Sequence, residues 1–319
     1  MTTLVIGAGL VGSQVARILV EQGEKPVLMD YAAQPKAIAQ IVALDRVVMT
    51  EGDILRPLSL VKVLADHKIT AIVHTAANPM LTLGAQTDPY SAINLNIMGT
   101  VNVLEAARSM GIARVVVSSS NVLGHYMAGG EGNGELTKEE AFPRPVTFYS
   151  ATKQAVESLG LNYARWCGID FAGMRYGAVF GPWSGNGGGG PSNIVRDAVR
   201  ATLAGNEAVL PDRGMEWVYS KDAAHGTVLA LKVKDLGSRI FNITMGSTTS
   251  PQQFMAALSK VVPGAKAKIE TPKASALSIP NTGHASDPTK ARTILGFQPQ
   301  YKIDAAVADL VGWMKQHPA

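Results

Sequence analysis

The run Thr3-Leu-Val-Ile-Gly7-Ala-Gly9-Leu10-Val11-Gly12-Ser-Gln-Val-Ala leaves this chain very few folds to choose from. A short apolar run with β-branched residues reads as a buried strand. It enters a tight turn of three glycines and continues as a helix-like run to about Glu21. Gly7 permits the turn, Gly9 lets the backbone approach a pyrophosphate, and Gly12 allows the helix to pack on the strand. The helix start, with Leu10 and Val11 in its first turn, then presents unpaired N–H groups to a phosphate. A second strand-like run at 26–29 ends in Asp30, placed where a carboxylate binds ribose hydroxyls. Strand, glycines, helix, strand and acid together specify a dinucleotide-binding unit. Asp30 repels a 2′-phosphate, and only Lys36 lies within the next several residues, so the expected cofactor is NAD and not NADP.

Beyond that unit, strand and helix patterns alternate to about residue 180. Strands are expected at 4–6, 26–29, 47–50, 71–74, 114–118 and 171–175, with long helices at 92–109 and 150–167. Such alternation calls for an α/β fold with a Rossmann-type doubly wound parallel sheet. After Gly181 the texture changes. The stretch Gly181-Pro-Trp-Ser-Gly-Asn-Gly-Gly-Gly-Gly-Pro191 is glycine-rich enough that it is not expected to hold one shape without a ligand. The expected division is 1–180 for the cofactor and 181–319 as a smaller mixed α/β region mainly for substrate, with the chain free to return to the sheet.

The stretch Tyr149-Ser-Ala-Thr-Lys153 places a phenol and an ammonium four residues apart on a helix, hence on one face. A free tyrosine, with a pKa of about 10, is a poor base at neutral pH. A nearby ammonium favours the phenolate, so Tyr149 is expected to exchange a proton near pH 7. Any helix carrying Tyr and Lys would match, so the weight comes from its company. Arg114-Val-Val-Val-Ser118-Ser119-Ser120-Asn121 reads as a buried parallel strand. Such a strand brings its carboxyl end to the ligand crevice, where one serine can hydrogen-bond a reacting oxygen.

Composition narrows the function classes. Of 319 residues, 46% are apolar and 17% charged, which fits a globular chain and not a disordered one. The net charge of +4 is small and dispersed, with no basic stripe among aromatics, so nucleic acid is not an expected partner. No metal-ligating cluster stands out. The single cysteine, Cys167, forbids an internal disulfide and fits a reducing compartment. No apolar run approaches the ~20 residues of a membrane span. The first strand begins within a few residues of Met1, which leaves no room for a leader, so a cytoplasmic protein is expected.

Together these pieces resemble the extended short-chain dehydrogenase/reductase family, the branch of nucleotide-sugar epimerases and dehydratases, over nearly the whole chain. Gly52-Asp53-Ile54 resembles the family's adenine-contacting segment, and His74-Thr75-Ala76-Ala77 its strand-end turn beside the cofactor. Asn96-Ile-Met-Gly99-Thr100 is similar to the start of its long helix. Arg175-Tyr176-Gly-Ala178-Val-Phe-Gly181-Pro182, Trp217-Val-Tyr-Ser-Lys-Asp222 and Phe241-Asn242-Ile243 are similar to later blocks. The resemblance implies a catalytic set of Ser119 (counted back from Gly124), Tyr149 and Lys153, with Asn96 in support. It implies that Tyr149, Lys153 and Tyr176 also contact the cofactor. Ser120, Asn121, His125, Tyr126 and Ala178 are the expected substrate contacts. A homodimer through the helices 92–109 and 150–167 is implied as well, with Ala151, Ala155 and Leu159 forming an apolar stripe.

The departures from that family bear on substrate. The first turn is the shorter Gly7-x-Gly9-x-x-Gly12. Ala178 stands where nucleotide-sugar enzymes carry Asn, and Met215 where they carry Arg, with Arg213 close by. Ser120-Asn121 replaces the Asp-Glu pair of the 4,6-dehydratases. A buried diphosphate without partners is expensive. The reading is therefore an NAD-dependent dehydrogenase acting on a secondary alcohol of a small polar molecule such as a sugar, sugar acid, polyol or hydroxy acid. An NAD-retaining nucleotide-sugar epimerase is the alternative, and a non-catalytic NAD sensor the alternative of another class.

Overall fold

The computed structural model describes residues 1–77, 87–125, 136–141, 145, 147–271 and 285–318. Six strands form in the first part of the chain: β1 (Thr3–Ile6), β2 (Val27–Asp30), β3 (Val48–Glu51), β4 (Ala71–His74), β5 (Arg114–Ser120) and β6 (Asp170–Tyr176). Most are short runs rich in Val, Ile and Leu, buried on both faces as inner parallel strands are, while the edge strand β3 is only part-buried and ends in the exposed Glu51. Six more follow: β7 (Ala178–Phe180), β8 (Ala208–Pro211), β9 (Met215–Tyr219), β10 (Arg239–Ile243), β11 (Thr248–Thr249) and β12 (Ala267–Glu270). The main sheet has the order β10-β6-β5-β4-β1-β2-β3 and is parallel throughout. The order reverses beside β1, at the point where an open α/β sheet opens a ligand crevice.

One face of the sheet is covered by helix α1 (Leu10–Glu21) and the helix Ser220–Lys232, the other by the helices Pro57–Asp66, Gly99–Ser109 and Phe148–Cys167. Alternation along the strands divides the core between these faces. Val116 packs on the α1 side, whereas Val115 and Val117 pack on the side of the helix Phe148–Cys167. That helix approaches β6 closely because Gly160 lacks a side chain. A Cβ built there would lie 2.1 Å from the ring of the fully buried Phe171.

Residues after 181 form a second cluster around Phe180, Trp217, Tyr219 and Phe254, over the small sheets β11-β9-β7 and β12-β8. The chain also returns to the main sheet. β10 pairs with β6, and Arg114 Nη1 on β5 donates to the carbonyls of Ala230, Leu231 and Val233 at the end of the helix Ser220–Lys232. The seventh strand goes beyond the six expected strands.

Two further expectations are corrected. The helix expected over 92–109 is divided into Pro89–Ile93, a π-helical turn Asn94–Met98 and Gly99–Ser109. The glycine stretch holds a defined course through side chains outside it. The Gln34 amide oxygen accepts from Asn186 N–H at 2.6 Å and its nitrogen donates to the Asn186 carbonyl. The Ser184 hydroxyl donates to Gln40 Oε1 at 2.6 Å, and the indole of the buried Trp183 donates to the same Asn186 carbonyl. Among the described residues no helix is long and apolar enough to cross a membrane.

Candidate active site

The cofactor end of the crevice is shaped by main chain. Gly7 has φ +94°, a left-handed conformation that L side chains rarely adopt, and its N–H donates to the Met29 carbonyl at 2.8 Å. A Cβ on Gly7 would lie 2.5 Å from Ala76 N, and one on Gly12 only 1.8 Å from the Gly7 carbonyl oxygen. A Cβ on Gly9 would meet nothing within 4 Å, so the space above the start of α1 is open. The helix begins there without a side-chain cap, so Leu10 and Val11 lie in its first turn and the positive end of its dipole faces that space.

Around the turn, the Thr75 hydroxyl donates to the Gly7 carbonyl at 2.9 Å, and Ala76 N–H donates to the Ile6 carbonyl, with Ala77 next along the chain. Asp30 Oδ2 accepts from Ala8 N–H at 2.7 Å and Oδ1 from Ala32 N–H at 2.9 Å, which fixes the carboxylate beside the glycine turn. Asp53 accepts from Leu55 N–H. Ile54 is buried under Gly99, and its carbonyl accepts from Asn102. These groups fit a dinucleotide: open backbone over a helix start for the pyrophosphate, a fixed acid for a ribose, and an apolar edge for a base. Tyr176 does not join them. Its hydroxyl bonds Thr227 at 2.6 Å, and because Thr227 itself donates to the Ala223 carbonyl, Tyr176 is the donor. Burial pushes this phenol far up, and it serves the packing of the helix Ser220–Lys232.

The phenol, ammonium and hydroxyl expected to move a proton meet above the end of β5. A capping box between Thr147 and Ser150 sets the start of the helix Phe148–Cys167, which puts Tyr149 in its first turn. One turn on, Lys153 Nζ donates to the Ser118 carbonyl at 2.9 Å and stands 5.8 Å from the Tyr149 ring centre. The hydroxyl that hydrogen-bonds Tyr149 belongs to Ser120. Ser119 is corrected: it faces the opposite side of the strand, is buried, and donates to Glu157 Oε1 at 2.6 Å. The reason is the two-residue period of the strand, which sends Ser119 with Val115 and Val117 and leaves Ser118 and Ser120 with Val116.

The charges here are tuned chiefly by burial. It lowers the Lys153 ammonium to about 8, against the pull of Glu157 one turn further along. It raises the Tyr149 phenol above its ordinary value, with the Ser120 bond as the opposing influence. The phenolate expected from the lysine alone is thus not the resting form in this structure. Glu157 is in turn gripped by Arg175 through two bonds of 2.8 and 2.7 Å, a buried pair behind the strand.

Asn96 lies at the π-helical turn, buried, and its Nδ2 donates to Thr152 Oγ1 at 3.0 Å. Thr152 in turn donates to the Tyr149 carbonyl at 2.8 Å, while Asn96 Oδ1 has no partner among the described residues. The Asn96 carbonyl accepts from Thr100, whose hydroxyl therefore accepts a hydrogen bond from His74 Nε2–H at 3.2 Å. Burial first, and Lys153 second, lower His74 to about 3, so it stays neutral. An unbroken polar path thus joins the end of β4 to the first turn of the Tyr149 helix.

On the substrate side, Asn121 is buried and donates to Glu216 Oε2 at 2.8 Å, so its amide holds a neighbouring strand. Glu216 also accepts from the N–H and hydroxyl of Ser286. His125 ends the short helix Val122–His125, and Tyr126 lies outside the described residues. Ala178 pairs with Trp217 in β7–β9. Met215 and Arg213 line one cavity of about 20 Å³, room for about one ordered water, with Leu210, Trp217, Thr249 and Phe254. Among the described residues no group of three or more metal-ligating side chains comes together.

Sequence reasoning missed His74, Thr100, Thr152, Glu157 and Arg175. Strand alternation was the signal that separates Ser120 from Ser119, and it was present in Val115-Val116-Val117. No comparable signal marked the hydroxyl path.

The model of the family described as "NAD dependent epimerase/dehydratase family" matches residues 3–244. A UDP-glucose 4-epimerase of Lacticaseibacillus casei is 29% identical over 339 residues, covering 100% of this chain and 98% of the relative. The Thermus thermophilus UDP-glucose 4-epimerase in complex with NAD superposes with a TM-score of 0.85 at 22% identity, covering 99% of this chain and 100% of that one. L-threonine dehydrogenase of Clostridium difficile superposes with a TM-score of 0.83 at 22% identity, covering 99% and 98%.

Proposed function

The chain belongs to the NAD dependent epimerase/dehydratase family, and from that premise we propose that it is an NAD-retaining epimerase of a nucleotide-linked sugar. Tyr149, Lys153 and Ser120, gathered at the crevice beside an open glycine turn, carry this reading. Bound NAD supplies an acceptor and donor of hydride. The cradle of Gly7, Gly9, Gly12, Asp30, Asp53, Ile54 and the Thr75–Ala77 turn would hold it. Tyr149 takes the proton of the sugar hydroxyl and returns it, and Ser120 orients that oxygen. Lys153 supplies positive charge beside the phenol, and Asn96 steadies the helix turn that carries it.

The relatives' names favour the epimerase over the dehydrogenase that the departures suggested. Arg213, beside Met215 on the same wall, provides a cation where Met215 has none. A second reading, a dehydrogenase of a small polar alcohol, keeps support from Ala178, from the small volume of that cavity and from the likeness to L-threonine dehydrogenase. Incubating the purified protein with UDP-glucose or UDP-glucuronate and following both the sugar by NMR and NADH by absorbance separates them. Epimer formation without free NADH is expected. NADH accumulating in step with an oxidised small alcohol, with both nucleotide sugars untouched, overturns the epimerase.

Residues 1–180 are assigned mainly to cofactor and proton transfer and 181–319 mainly to substrate. A homodimer is supported by apolar side chains left exposed on the two expected helices, among them Ile93, Met98, Leu161 and Trp166, and by the outward face holding Ala151, Ala155 and Leu159. Light scattering that gives a monomer mass at micromolar protein counts against it. A cytoplasmic location is supported by a lone free Cys167.

A further inference from the structure

Cofactor choice rests on more than Asp30. At the carboxyl edge of the sheet Asp30 is the in-register partner of Glu51 on β3. Parallel partners in register send their side chains to the same face, on strands about 4.8 Å apart. Beside this pair lies a groove of about 340 Å³, walled by Tyr31, Ala32, Ala33 and Pro35 on one side and by Met49, Thr50 and Glu51 on the other. Asp30 is pinned toward the glycine turn by Ala8 and Ala32 N–H groups, so a ribose that it holds has its 2′ position at the mouth of the groove. A phosphate added there must enter the groove. Glu51 is exposed and, among the described residues, makes no ion pair, so its charge stands uncompensated at that wall. Lys36, on the helix Pro35–Ala39, is the cation nearest in sequence and is exposed as well.

We infer that Glu51 is a second specificity residue, a carboxylate in register with Asp30 on the β3 wall of the groove, that excludes the 2′-phosphate of NADP. Asp30 both binds the ribose and repels the phosphate, whereas Glu51 only repels. The inference rests on the NAD reading above, and the two can fail separately.

The test uses the full chain and needs no substrate: titration of NADH and NADPH by the fluorescence of the reduced nicotinamide. Glu51 is exposed, so Glu51→Gln is expected to fold. That variant should tighten NADPH about five- to tenfold and leave NADH within twofold, the size of one screened charge a few ångströms from a phosphate. Glu51→Arg should tighten NADPH further, again without loss of NADH. Asp30→Asn should instead weaken NADH, because it alters the ribose ligand. An NADPH affinity unchanged within twofold in both Glu51 variants, in a protein that binds NADH, overturns the role of Glu51 alone. A wild type that binds NADPH more tightly than NADH overturns the NAD reading and this inference with it.

Discussion

Around Gly7 and Asp30 the crevice is shaped by main chain: carbonyls, N–H groups and a left-handed glycine fix its outline, and few side chains could be exchanged there. Around the cavity beside β8 and β9 the reverse holds. Side chains, among them Met215, Arg213, Trp217 and Phe254, set its size and charge. On the proposed function, the cofactor end keeps its outline through wide divergence, and the residues proposed to face the substrate can change by a few substitutions. Relatives of similar fold with different named substrates are what such a division produces.

The sharpest way to break this contrast is Tyr149→Phe, which deletes a proton carrier that neither end owns. Turnover should fall roughly 10²–10⁴-fold, and Ser120→Ala should follow in the same direction. NADH affinity should stay within twofold for Tyr149→Phe. A parallel loss of NADH binding, read by fluorescence titration, would show that the phenol belongs to the cofactor end.

Arg213→Ala tests the side-chain end. A charge-assisted bond contributes about 1.5–3 kcal/mol, so UDP-glucose binding by calorimetry should weaken roughly 10- to 150-fold with NADH untouched. Equal affinity for UDP-glucose would remove Arg213 from the site.

Two glycines sharpen the main-chain end. Gly12→Ala drives a Cβ onto the Gly7 carbonyl and should cost about 1–3 kcal/mol in urea unfolding. Gly9→Ala meets open space, so stability should hold while NADH affinity drops. Identical behaviour of the two variants would contradict the geometry.

His74 offers a test by pH. It stays neutral in the folded chain down to about 3 and titrates near 6.5 when unfolded. Below 6.5 the unfolded chain binds the extra proton, so stability is complete above that value and is lost as pH falls. The loss should approach about 1.4 kcal/mol per pH unit, and His74→Gln should flatten it. A slope in the variant equal to the wild type would remove His74 as its source. The smallest effect on turnover belongs to Ser119→Ala, which loses a buried bond to the Glu157 carboxylate and should cost about 1.5–3 kcal/mol of stability with kinetics nearly unchanged. A turnover loss like that of Ser120→Ala would restore Ser119 to the site.

Legibility in the sequence follows the same contrast. The glycine turn, Asp30 and the first six strands were readable because backbone demands leave few residue choices at Gly7 and Gly12 and a plain apolar run in each strand. Tyr149 and Lys153 were readable because four residues on a helix fix their separation. Ser119 was misjudged by counting from Gly124, where the strand's period decided otherwise. Tyr176 carried a hydroxyl whose direction depends on Thr227, fifty-one residues away. The glycine stretch seemed shapeless because its restraints, Gln34 and Gln40, lie far off in the chain. Such partners are set by the folded arrangement and leave no local pattern.

The return of β10 to the edge of β6 governs how this molecule can be made. Until residue 243 has left the ribosome, β6 is an unpaired edge of apolar strand, and such edges recruit other chains. Arg114 likewise waits for carbonyls more than a hundred residues later in synthesis. A fragment ending at residue 180 should therefore be recovered as aggregate, and the cofactor half should become competent only once the substrate half has been threaded past it.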